Sequence, residues 1–174
     1  ARMAQRREAL FPWIDEHTKL LGADVWLDAD SSFKLGGVTF TLRHVGPAHS
    51  PEDLAIMVEN DSVLFAGDLA FRGRTPFVGD ADSKAWIAGL DKLLVLKPRV
   101  LVPGHGEAST QAAADLVFTR DYLTYLRKTM GRAAEEMMPF DEAYDKTDWR
   151  TYSGLPAFDE VNRRNAYNTY VMME

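Results

Sequence analysis

Three short segments of this 174-residue chain place a possible metal-binding side chain beside glycine at the end of an apolar, strand-like run. They are Gly46-Pro47-Ala48-His49-Ser50, Ala66-Gly67-Asp68 and Val102-Pro103-Gly104-His105-Gly106. Glycine suits positions where the backbone bends tightly or approaches another group closely. His49 precedes Asp68 by 19 residues, and Asp68 precedes His105 by 37, too far for a local motif. The three can act together only if a sheet collects its strand-end loops along one edge, the usual ligand site of α/β proteins. Two imidazoles and one carboxylate suit zinc, iron or manganese.

The rest of the sequence narrows the class. There is no Cys, which excludes disulfides and thiolate chemistry and leaves His and carboxylate as the metal ligands. A net charge of −6 disfavours nucleic acid or an anionic membrane as the main partner. No apolar run reaches the roughly 18 residues of a membrane helix. With 46% hydrophobic residues the chain should fold as one globular domain.

Residues 1–21 read as a helix interrupted at Pro12 and stopped by Gly22. Strands are expected at Val25 to Leu27, Phe33 to Leu35 and Val38 to Leu42, the last two joined by a tight turn at Gly36-Gly37. A second hairpin joins Leu54 to Val58 with Val63 to Phe65, and Asp68 is expected just past the returning strand. A helix capped by Asp82 or Ser83 follows, with Trp86, Ile87, Leu90, Leu93 and Leu94 at helical spacing. Val100 to Val102 is a short strand with His105 in the loop after it. From Thr110 the chain reads as helical, with Leu116, Leu123, Leu126 and Met130 on one buried face and breaks at Gly131 and Pro139. A final helix runs from Phe158 to Met173. The pattern gives an α/β piece, one mixed sheet with helices on one face.

The order and context of the three segments resemble the second half of the metallo-β-lactamase superfamily. The His-x-His-x-Asp-His motif of that family's first half is absent from this chain. The resemblance implies half of a four-layer αββα fold, with a core half-sandwich over residues 23–125 and a helical extension over 126–174. It further implies that His49 serves one metal, His105 a second, and Asp68 bridges both. The implied activity is that of a zinc-dependent hydrolase, in which a metal-activated water attacks an ester, thioester, lactam or related bond. Asp68 would be the catalytic carboxylate, and the half alone would be inactive, with weak or no metal binding. The Phe71 to Phe77 run and the tail from Asp148 resemble the SoxH-like or quinoprotein-relay zinc hydrolases, which implies a periplasmic location. A mononuclear iron dioxygenase on the same fold, using two His and one Asp, is the alternative enzyme, with manganese also possible at the site. A non-catalytic, self-associating half-domain is the third reading.

Other residues carry two readings each. Arg72, Arg74 and Phe77 follow Asp68 and either line a substrate cleft or form a charged surface loop. Asn165, Tyr152 and Tyr167 either enter that cleft or pack in the core. His17 reads as exposed and His44 as packed or exposed rather than ligating. Arg2, Arg6 and Arg7, like Arg163 and Arg164, read as solvated helix faces. Met130, Met137 and Met138 read as gap-filling core or a self-association surface. The half-fold would leave an apolar sheet face uncovered, so the expected partners are a small-molecule substrate and a second copy of the chain.

Overall fold

The computed structural model describes Trp13, Ile14, residues 17–19 and residues 21–173. Five strands form one mixed sheet: β1 (Ser31–Leu35), β2 (Val38–Gly46), β3 (Asp53–Val58), β4 (Val63–Phe71) and β5 (Val100–His105). Their spatial order is their chain order, with antiparallel pairing throughout except for the parallel pair β4–β5. Helix α1 (Ser83–Val95) makes that crossover, as a parallel connection requires. Helices α2 (Ala112–Glu135), α3 (Phe140–Lys146) and α4 (Phe158–Met173) follow.

Local chemistry accounts for the element ends. Gly36 and Gly37 have φ of 57° and 83°, the left-handed pair that a two-residue hairpin turn needs. Asp82 caps α1, its Oδ1 accepting from the backbone N–H groups of Lys84 and Ala85, both at 3.0 Å. The crossover from β4 therefore enters α1 with its first N–H groups satisfied.

Alternation along the strands separates two faces. Ala55, Met57, Leu64, Ala66 and Leu101 point under the helices and are buried. There they meet Trp86, Leu90 and Leu93 of α1 and Leu116, Leu123, Leu126 and Met130 of α2, all 0–1% exposed. The opposite face carries Phe33, Phe40, Leu42, Ile56, Phe65 and Val102, in cross-strand register Phe33↔Phe40, Leu42↔Ile56, Ile56↔Phe65 and Phe65↔Val102. The Phe33 and Phe40 rings stack at 5.1 Å. No described helix covers this face, and Phe33 and Phe65 stand 47% and 45% exposed.

Several expectations are corrected. The proposed N-terminal helix falls mostly outside the described residues, and its described members, among them Trp13, Ile14, His17 and Leu21, are not helical. Val25 to Leu27 forms no strand; with no neighbouring strand to pair, its apolar composition alone does not make one. Asp68 lies inside β4 rather than past it, and His105 is the last residue of β5, because β4 and β5 keep pairing beyond the apolar run. Gly131 does not break α2. It lets the flexible end of Met173 in α4 approach, where a Cβ would crowd it. Met137 is 88% exposed and so is no core filler.

The helical layer contains a buried polar chain. The Tyr122 hydroxyl donates to Asn162 Oδ1 at 2.8 Å and accepts from Asn165 Nδ2 at 2.8 Å, and Asn162 Nδ2 donates to the Tyr144 hydroxyl at 3.1 Å. Burial pushes the Tyr122 hydroxyl far above its ordinary range, so it stays protonated and can keep donating. Tyr122→Phe would leave Asn162 Oδ1 without its donor in the dry interior. Urea unfolding should show a loss of about 1–3 kcal/mol with an unchanged slope.

Candidate active site

His49, Asp68 and His105 meet at the C-terminal edge of β4 and β5. Asp68 Oδ2 lies 3.6 Å from His49 Nε2 and Asp68 Oδ1 lies 3.5 Å from His105 Nε2, so each imidazole faces a different oxygen of one carboxylate. These separations exceed hydrogen-bond length. The side chains of Asp68 and His105 are about half exposed, and that of His49 is mostly buried.

The backbone explains the convergence. Gly67, at φ 53°, pairs with Pro103, and Phe71 pairs with His105, so four residues of β4 run beside two of β5. This bulge turns Asp68 out of the ladder toward the neighbouring strand. Gly104 lies against it: a Cβ there would collide with Asp68 Oδ1 and would also meet the backbone of Gly67 and Asp68 at 2.7 Å. His49 arrives on the loop after β2, which ends at a second bulge and Gly46, at φ 84°.

Aromatic rings hold the two imidazoles. Trp86 meets His49 edge-on at 5.0 Å, and its Nε1 donates to the Leu69 carbonyl at 2.9 Å. Phe71 stacks on His105 at 5.1 Å with 17° between planes and lies 6.0 Å from His49. His49 Nδ1 is buried and has no hydrogen-bond partner among the described residues.

Two imidazoles around one carboxylate form a donor set suited to a divalent transition metal, but an incomplete one. Among the described residues, no group of three or more His, Cys, Asp and Glu is placed to hold an ion by itself.

His49 also lines a cleft of about 480 Å³, bounded by Pro47, Pro51, Phe77, Val78, Asp80 and Arg164. The loop forming its far wall is fastened by α4. Asn165 Oδ1 accepts from Val78 N–H at 2.9 Å, Asn165 Nδ2 donates to the Pro76 carbonyl at 2.7 Å, and Asn168 Nδ2 donates to the Gly79 carbonyl at 2.6 Å. Asn165 thus shapes the cleft from behind without entering it. Tyr152 packs on Tyr122 and Tyr125, and Tyr167 packs edge-on against Phe140.

The other sequence candidates separate. Phe77 reaches the cleft. Arg72 turns to Asp115 of α2 at 3.6 Å, and Arg74 has its Nε buried without a partner among the described residues. Neither is among the residues that line the cleft. His44 turns away to Glu52 at 3.2 Å. Arg164 is the cleft residue that sequence reasoning missed. Its guanidinium lies over the Phe77 ring at 5.8 Å and forms no ion pair among the described residues. Phe77 and Arg164 are far apart in sequence, so only the fold brings them together. Arg163 behaves differently, pairing with Asp141 at 2.7 Å and covering Tyr144 at 4.7 Å.

The sequence profile of the metallo-beta-lactamase superfamily matches residues 4–105. The chain belongs to that superfamily. It is 24% identical over 140 residues to the linear primary-alkylsulfatase of Pseudomonas sp. (strain ATCC 19151), covering 72% of this chain and 26% of that protein. Among solved structures it resembles the sec-alkylsulfatase Pisa1 from Pseudomonas sp. at 19% identity and TM-score 0.69, over 88% of this chain and 27% of the other. It also resembles a metallo-beta-lactamase from Pontibacter korlensis at 26% identity and TM-score 0.53, over 58% of this chain and 48% of the other. The chain thus spans about a quarter of the length of the alkylsulfatases it matches. These relatives are hydrolases by name, and relatives in this superfamily are metal-dependent, usually on zinc.

The close fit at Gly104 gives a test of the site's architecture. Gly104→Ala should separate β4 from β5 around Asp68, because the added atom meets backbone that cannot swing aside. The expected result is a large drop in melting temperature. Gly154→Ala, with open space around it, should leave stability within about 0.5 kcal/mol.

Proposed function

We propose that this chain supplies the His49, Asp68 and His105 portion of a metal-dependent hydrolase centre, with zinc as the metal. The observation that carries the reading is the placement of two imidazole Nε2 atoms on opposite oxygens of one carboxylate, at 3.6 and 3.5 Å. His49, Asp68 and His105 would hold the metal, with the remaining ligands coming from a complementary half of the fold. A metal bound there supplies Lewis acidity and lowers the pKa of water to near neutrality. Asp68 anchors the centre between the histidines, Trp86 and Phe71 keep the imidazole rings in place, and the Phe77 wall bounds the substrate.

Ester, thioester, lactam and related bonds all suit such a centre. The alkylsulfatase names among the relatives make organic sulfate esters the first class to test. Elemental mass spectrometry on this chain and on the full-length protein would check the reading. The expected result is about two zinc ions per full-length chain and almost none here. Asp68→Ala in the full-length protein should lose zinc and most hydrolysis of alkyl sulfates and nitrophenyl esters; unchanged turnover would sink the assignment. One ion held firmly by this chain alone would favour a mononuclear centre instead.

The uncovered sheet face belongs to the same reading. In the full-length protein it is covered by the complementary half; in this chain alone, two copies bury it against each other. Light scattering should then report a mass near twice 19.5 kDa. Phe65→Lys, placing a charge at the centre of that face, should return the chain to a monomer.

A further inference from the structure

Metal-binding histidines usually have their second ring nitrogen fixed by a carboxylate or a carbonyl. Among the described residues neither His49 nor His105 has such a hydrogen bond, and the buried His49 Nδ1 has no hydrogen-bond partner. Something else must fix the rings.

We infer that Thr119 of α2 is a positioning residue for this centre, acting through Phe71, which wedges between the two imidazoles in place of the missing hydrogen-bond partners. The inference rests on reading His49, Asp68 and His105 as the donor set. Phe71 is 1% exposed, stacks nearly parallel on His105 and also contacts the His49 ring. Its own position needs support, because β4 bulges beyond Asp68 and leaves the regular ladder there. Thr119 supplies that support. Its Oγ1 accepts from Phe71 N–H at 3.1 Å, and its one proton can go to the Phe71 carbonyl at 3.3 Å or to the Asp115 carbonyl at 3.4 Å. Thr119 is fully buried and 48 residues away in sequence, so the contact ties the helical layer directly to the back of the centre. Trp86 does the same from α1, binding the Leu69 carbonyl and meeting His49 edge-on. The bulge that frees Asp68 also frees backbone groups, and two buried side chains take them up.

The test uses this chain, with histidine and phenylalanine rings labelled for NMR. In the wild type, nuclear Overhauser contacts between the Phe71 and His105 rings are expected, with His105 ring protons displaced by the stacked phenyl. Thr119→Val keeps the shape and removes both hydrogen bonds; it should weaken those contacts and move the His105 signals. Thr119→Ser keeps the hydroxyl and should restore them. Met130→Ala, a core change about three turns along α2 from Thr119, should lower the melting temperature while leaving the ring signals in place. Equal ring shifts in Thr119→Val and Met130→Ala would overturn the inference, as would failure of Thr119→Ser to restore the contacts. Loss of the donor-set reading would show separately, as zinc content and turnover indifferent to Asp68→Ala.

Discussion

The parallel pairing of β4 with β5 is the interaction on which the rest depends. It sets Gly67 beside Pro103 and Phe71 beside His105, with a bulge between that releases Asp68 from the ladder. Were the two strands in perfect register, Asp68 would alternate regularly with its neighbours and could not face His105. The extra residues in β4 convert a ladder position into one that faces both imidazoles, and Gly104 lets the two backbones come close enough for it. The helix α1 that the parallel crossover requires also delivers Trp86 to the His49 ring.

A bulged strand end costs backbone hydrogen bonds, and buried groups left unpaired are expensive. The helical layer offsets this loss. Thr119 engages Phe71, Trp86 engages Leu69, and one turn of α4 takes the loop at Pro76, Val78 and Gly79 through Asn165 and Asn168. These contacts explain why α2 and α4 contain fully buried Thr119 and Asn165 where a purely structural helix pair would carry aliphatic residues. The C-terminal helices therefore do more than cover the sheet. They shape the cleft wall on which Phe77 and Arg164 meet.

What the sequence reveals divides along the same physical line. Strand and helix periods, the Gly36-Gly37 turn and the Asp82 cap are local and were legible, as was the convergence of His49, Asp68 and His105 on one sheet edge. The exact extents of β4 and β5 were not. Their ends are decided by pairing with a distant strand, and Gly67, Asp68 and Pro103 have low strand propensity. Val25 to Leu27 erred in the opposite direction, carrying the composition of a strand without a partner. Gly131 looked like a stop because glycine is a weak helix former, yet it marks a close approach between helices. Arg164 could not be assigned, since its role depends on a loop 87 residues upstream; nothing local separates it from Arg163, which pairs with Asp141 on the same helix.

The two faces of the sheet differ in a way that solvent exposure alone would not produce. An antiparallel sheet with one wet face normally alternates apolar toward the core and polar toward water. Here the alternation at the β1–β2 edge runs the other way. Thr39, Thr41 and Arg43 share the register of buried Met57 and Ala55 on the helix side, while Phe33, Phe40 and Leu42 point to the uncovered side. Helix α1 reaches only the far end of β2, where Val45 lies against Gly89, and the polar residues occupy the helix side of β2 before that contact. The apolar residues run uninterrupted across the other face, from Phe33 through Phe40, Ile56 and Phe65 to Val102. A face so continuous needs a second layer wide enough to span every strand, wider than the helical layer opposite. A second sheet meets that requirement better than another helix pair.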